Sequence, residues 1–166
     1  NEKIPADKRS SFLELGRIPD WRRKLDDSWT ESPFELNKQK WTSVEHYYQS
    51  SKFKKHNPEF AALFSLESSS EISKDVDLAK SAGSKSGNAT GKAKAKVKTD
   101  VLLRPKDVLI DPDFYSDRRE TERLEAVRSK FTKNPELRQL LLNTKDAKLM
   151  VYNRGSPAEP DHILMN

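Results

Sequence analysis

The sequence predicts a single α+β domain, mostly helical, with a small β-sheet or hairpin. Helix-period segments recur along the middle and late chain, two of them opening on an Asn-Pro pair, whereas strand-like patterns are few and short, chiefly residues 33–41 and an apolar run at 147–152. The 166 residues suffice for one core. Only 34% of them are hydrophobic and 34% are charged, so that core must come from a few dense segments separated by loop and surface.

In chain order, residues 1–20 read as a loosely attached arm, within which SFLELG (Ser11 to Gly16) offers a helical turn or a short strand. The packed domain is expected over 21–166. Trp21, Leu25 and Trp29 recur every four residues around Arg22, Arg23 and Lys24, as core anchors or as a recognition patch. PFELNKQKW, from Pro33 to Trp41, alternates Phe34 and Leu36 with polar residues before a polar turn at Asn37, Lys38 and Gln39, the pattern of a β-hairpin. Asn57 and Pro58 open a helix with Phe60, Leu63 and Phe64 inward, and a further helix runs from about Ser70 to Ala82, stopping at Gly83. The Gly/Ser/Lys-rich stretch 83–99 reads as a solvated loop. Val101 to Ile110 gives a short strand or buried turn. A long helix follows from Ser116 to Phe131, with Leu124, Val127 and Phe131 inward and Arg118, Arg119, Arg123 and Arg128 mostly outward. Asn134 and Pro135 begin another helix through Leu142, and Ala147 to Tyr152 reads as a buried strand.

The segment WTSVEHYYQSSKFKK, Trp41 to Lys55, organises the rest. Thr42 and Glu45 have capping-box spacing, which starts a helix at Thr42 or Ser43. At 100° per residue Val44, Tyr47, Tyr48 and Ser51 share a buried face, while Glu45, Gln49 and Lys52 fall within about 60° of one another on a second face. An acid, an amide and an amine thus share one stripe. Glu45 can close a capping box and pair along the helix surface, or the stripe can line a pocket in which burial and the ammonium set the acid's protonation state.

The block WTSVEHYYQSSKF resembles the signature of the YbiA-like family, also called NADAR, whose pattern reads roughly W-x-S-x-E-H-Y-Y-Q-x-x-K-F; nine typed positions fall within thirteen residues. A second block, RLEAVRSKFTKNPELRQLLLNTKDAKLMVY from Arg123 to Tyr152, is similar to that family's later pattern, and the likeness runs from about Trp21 to the end. The stretches FSLESSSEISKD, LLRPKDVLIDPDFY and YNRGSP resemble the shorter eukaryotic and large-DNA-virus members. There are departures. Where the family typically carries L-S-N-F this chain reads LDDSW, placing Asp27 for the asparagine; where longer bacterial relatives have a tryptophan and a lysine it has Phe114, Tyr115 and Arg118; and RGSPAEPDHILMN lacks their Trp-Gly loop. Asp161 is open to capping the last helix or to chemistry.

What the resemblance implies is a hydrolase of the N-glycosidase type, acting on ADP-ribose attached to a guanine base or on a ribosylamino pyrimidine. Glu45 would be the general base and oxocarbenium stabiliser, Gln49 and Lys52 would contact substrate or water, and Tyr115 and Arg118 would supply an aromatic wall and a cation. No cofactor is implied. The departures support an alternative, a non-catalytic module that binds a nucleotide-like ligand or serves as a structural or interaction domain.

Other classes are constrained by composition. The net charge of +5 and pI near 9.3 permit a phosphate-bearing partner. Lys92, Lys94, Lys96 and Lys98 alternate and would line one side of an extended chain, a weak nucleic-acid contact without interleaved aromatics. Gly87 to Lys92 has three residues between its glycines where a phosphate loop needs four, and Ala93 stands where Ser or Thr should bind magnesium. With no cysteine, thiolate chemistry and Cys-ligated zinc are excluded, and His46, His56 and His162 make no metal-ligand spacing. No apolar run reaches the roughly 18 residues of a membrane span, and no secretory h-region is present. The expected setting is intracellular, cytoplasmic or virion-associated.

Overall fold

The computed structural model describes residues 12–97, 102–145, 149–151 and 159–165. Its centre is helix α3 (Val44–Ser51), which packs mainly against the long α8 (Arg119–Lys133) and against α6 (Val76–Ala82). Around them lie α1 (Leu13–Gly16), α2 (Trp21–Leu25), α4 (Pro58–Ala61), α5 (Glu71–Lys74), α7 (Gly91–Lys96), α9 (Pro135–Asn143) and α10 (His162–Met165). Strands β1 (Phe34–Leu36) and β2 (Gln39–Trp41) form an antiparallel hairpin in the register Phe34 to Trp41 and Leu36 to Gln39; β3 (Met150–Val151) and β4 (Glu159–Pro160) form a second pair. The domain is α+β and mostly helical.

The hairpin turns on two residues. Asn37 and Lys38 both have positive φ, 54° and 65°, which twists the turn to match the strands and leaves Gln39 free to pair in β2. Trp41 then enters the core edge-on to Tyr47, with ring centroids 5.1 Å apart. Beyond α3, Phe53, Phe60 and Phe64 interlock; Phe53 and Phe64 are fully buried, and each contributes about 2 kcal/mol by leaving water. Leu63, expected inward, lies on the outside of a 3₁₀ turn over Ala62–Phe64.

Several expectations are corrected by tertiary contacts. Phe12 and Leu15 are buried, so part of the expected arm is core; residues 1–11 of that arm lie outside the described residues. The helix expected over 70–82 is two helices, because Asp75 takes an extended conformation and its carboxylate caps α6 through the amides of Asp77 and Leu78. The lysine-rich stretch is not an extended loop. Residues 91–96 form α7, whose Ala93 is buried against Leu78 and Ala89, and helical geometry leaves Lys92 and Lys96 on one side and turns Lys94 to the other. Lys96 also binds Asp75 and Asp77, at 2.5 and 2.9 Å, while Lys98 lies outside the described residues.

Between α7 and α8 no strand forms among the described residues; Leu102 makes a single bridge to Asn88. Arg104 is buried there and donates to the carbonyls of Ala82, Ser84 and Lys85, at 2.8, 2.7 and 3.0 Å, which fixes the chain just past α6. Of the strand expected over Ala147 to Tyr152, Met150 and Val151 are strand, and 146–148 and 152 lie outside the described residues. No helix among the described residues is long and apolar enough to cross a membrane.

Candidate functional site

The start of α3 sets the site. Ser43, rather than Thr42, is the N-cap: its Oγ accepts from the amide of His46 at 3.2 Å. The Thr42 hydroxyl is used elsewhere, donating to the carbonyl of Ser73 at 2.6 Å. Moving the cap by one residue places Glu45 at the second helical position, so its carboxylate is not drawn back onto a capping box. The Glu45 amide instead donates to the carbonyl of Asp27 at 3.0 Å. His46 completes the anchor. Its Nε2 lies 2.8 Å from the carbonyl of Ile72, which can only accept, so Nε2 carries the proton and Nδ1 accepts from Ser43 Oγ at 2.7 Å. Burial holds the His46 pKa down at about 4, so the ring is neutral.

Glu45 is partly accessible, and its carboxylate Oε1 accepts from Gln49 Nε2 at 2.6 Å. Burial raises its pKa above the ordinary range; the Gln49 hydrogen bond opposes this, Asp27 adds to it, and Lys80 and Lys52 oppose it. Lys52, one turn beyond Gln49, is buried with its Nζ donating to the carbonyl of Gly83 at 2.9 Å. The ammonium lies 5.5 Å from the ring centroids of Tyr48 and Tyr115 and 5.9 Å from that of Phe114. A single π-turn over Phe114–Arg118 ahead of α8 creates this wall, burying Phe114 and leaving Tyr115 half exposed. Glu45, Gln49, Lys52 and Tyr115 are therefore brought together.

Arg118 sits against the same Phe114 ring, 5.7 Å from its centroid. Its guanidinium bonds Asp111 at 2.8 Å, Asp113 at 3.1 Å, the carbonyl of Ser51 at 3.1 Å and Glu122 at 3.4 Å, so its donors are committed to holding α8 against the end of α3. Glu122 is buried on that side and is also bound by Lys54, Tyr47 and Ser51; burial alone would raise its pKa, but these partners hold it below the usual range. A cavity of about 190 Å³ opens nearby, lined by Trp41, Tyr47, Ser51 and Lys54 among others, and none of Glu45, Gln49 and Lys52 lines it.

Arg123, expected outward, is the residue that sequence reasoning most misplaced. It points inward and is gripped by two carboxylates, Asp27 at 2.7 and 3.2 Å and Asp161 at 2.9 and 2.7 Å. Asp161 also caps α10 through the amide of Leu164 at 3.1 Å, so of its two open roles the structural one is filled. Lys130, one further turn pair along α8, is buried with Nζ donating to the carbonyl of Asp26 at 2.8 Å; burial pushes its pKa down to about 8. The sequence signal was the spacing of Arg123, Ala126, Val127 and Lys130, which puts two cations on the core-facing side of α8. Among the described residues no cluster of three His, Cys, Asp or Glu could hold a metal ion.

The chain is similar to the NMR structure of the E. coli protein YbiA, with a TM-score of 0.56 and 20% sequence identity over 89% of this chain and 76% of that one. The fold is YbiA-like. No protein-family model matches the sequence, and no curated protein matches it. The YbiA-like likeness thus rests on architecture.

Proposed function

We propose that this YbiA-like domain is a hydrolase of the N-glycosidase type, cleaving the bond between an anomeric carbon and a nitrogen in a ribosyl compound. The supporting observation is Glu45: a carboxylate with a raised pKa, held by Gln49 at 2.6 Å, beside an ammonium set among three aromatic rings. Cleavage develops positive charge at the anomeric carbon, and one carboxylate can both face that charge and take the proton of an attacking water. Tyr115 offers a half-exposed ring against which a base or ribose can lie. Lys52 is a point charge for an oxygen of the substrate. Substrate candidates are an ADP-ribosylated guanine base and a ribosylamino pyrimidine.

A second reading, a binding or interaction module without turnover, is favoured by Arg123. That cation puts four of its five N–H donors on Asp27 and Asp161, and the two carboxylates offset its charge toward a phosphate. The weak nucleic-acid contact expected through Lys92, Lys94, Lys96 and Lys98 draws on net charge alone, with Lys96 paired to Asp75 and Asp77. Incubating the purified chain with an ADP-ribosylated guanosine oligonucleotide, and in parallel with a ribosylamino pyrimidine, separates the readings. Release of the ribosyl product supports the hydrolase, and binding without release supports the module.

A further inference from the structure

Gln49 is expected from its position to touch a substrate, yet it is 6% exposed. Its Nε2 donates to Glu45, while its Oε1 is buried and has no hydrogen-bond partner among the described residues. That oxygen faces the bare Cα of Gly83: a Cβ added there would lie 1.9 Å from Oε1 and 2.8 Å from the amide carbon. Gly83 has φ −85° and ψ −1°, a backbone open to any L-residue, so glycine is required there for space rather than for conformation. Its carbonyl meanwhile receives Lys52 Nζ. The end of α6 therefore touches both polar neighbours of Glu45.

An amide with donors and acceptors satisfied at both ends is locked in one orientation. Gln49 is held at one end only, by Glu45. We propose that Gly83 and Gln49 form a slot in which the amide turns over with the protonation state of Glu45, donating Nε2–H to the carboxylate and accepting the carboxylic acid proton on Oε1. Both are positioning residues, and the slot deepens the reading of Glu45 as the proton-handling group. In that reaction the water oxygen bonds to the anomeric carbon and the C–N bond breaks with its electron pair on nitrogen. Glu45 takes the water proton and passes it to the departing nitrogen. A partner that suits both forms of the acid serves both steps.

The charged and titratable groups around Glu45 are Tyr48 and Lys52 on its own helix, Asp27 from the segment after α2, and Lys80 from α6; Arg119 and Arg123 of α8 act on the neighbouring Tyr48. None of these occupies the Gln49 position.

The test is an NMR titration of the resting protein, following the ¹³C carboxyl of Glu45 and the side-chain ¹⁵NH₂ of Gln49. The expected result is one shared midpoint, with magnetisation transfer between the Gln49 amide protons and the Gly83 Hα protons strengthening on the acid side. Gln49 signals that ignore the Glu45 midpoint, or a Gly83 contact of equal strength at every pH, would overturn the slot. Gly83→Ala puts a methyl group where Gln49 Oε1 lies and should uncouple the Gln49 signals from the Glu45 midpoint; a folded Gly83→Ala in which Gln49 still follows that midpoint contradicts the slot. If Gly83→Ala does not fold, the wild-type titration decides the matter. Because no turnover is read, loss of the slot and loss of the hydrolase reading remain distinguishable.

Discussion

Arg123 binds Asp27 through two hydrogen bonds, Nε to Oδ2 at 2.7 Å and Nη2 to Oδ1 at 3.2 Å, across 96 residues of chain. With Asp161 on its other edge, the guanidinium ties α8 to the loop whose Asp27 carbonyl receives the Glu45 amide and to the cap of α10. Substituting Arg123→Ala strands two carboxylates, one of them almost fully buried. Removing one partner of such a network costs about 3 kcal/mol, the low end of the buried range because Asp27 keeps some exposure. Urea unfolding should show that loss, with Arg123→Lys only partly restoring it because an ammonium cannot span both carboxylates.

Stability should fall as the pH drops from about 6.5 toward 4, through His46. Its folded pKa of about 4 lies below the ordinary 6.5, so the unfolded chain binds the proton first. The neutral ring's contribution is complete above pH 6.5 and is lost as the pH falls through the folded value, amounting to at most about 3 kcal/mol. His46→Gln keeps a donor for Ile72 but does not titrate, and its unfolding free energy should be flatter over that window. Equal slopes for the two proteins would remove His46 as the cause.

Lys130 should cost stability at neutral pH. Its pKa is pushed down by burial to about 8, so below that value folding holds a charge in a poorly solvated place. Lys130→Met keeps the stem's packing and is expected to stabilise the domain by about 1–3 kcal/mol at pH 7, with a smaller gain at pH 10. Thermal melts at the two pH values check the sign. A gain that is larger at pH 10 would mean that the charged form is well accommodated.

Arg104 closes the segment after α6 with three hydrogen bonds to carbonyls. Arg104→Ala leaves those acceptors without their donor, and a charged donor is worth about 1.5–3 kcal/mol per bond, so a loss of at least about 3 kcal/mol is expected. Faster amide exchange should be concentrated at residues 83–87. Uniformly faster exchange would instead point to global destabilisation.

The parts legible in the sequence were those decided by local pattern. Val44, Tyr47 and Ser51 announce the buried face of α3, and Asn57-Pro58 and Asn134-Pro135 mark two helix starts. The stripe of Glu45, Gln49 and Lys52 followed from helical angle alone, although Gln49 and Lys52 are more buried than a surface stripe would be. What was illegible depends on distant partners. Thr42 and Ser43 are equally able to cap, and the carbonyl of Ser73, 31 residues away, takes Thr42 out of contention. The Lys/Ala run reads as loop until Leu78 and Ala89 bury Ala93. Arg123 looks like an ordinary surface cation because the acids that hold it, Asp27 and Asp161, come from distant segments. Gly83 carries a helix-stop signal in sequence, but its space is used by Gln49.

The most direct measurement compares wild type with Glu45→Gln for release of ADP-ribose from an ADP-ribosylated guanosine oligonucleotide, with melting of both proteins recorded alongside. If Glu45 is the base, the variant should stay folded and lose about 100-fold or more in turnover. Equal turnover by the two proteins would contradict the assignment.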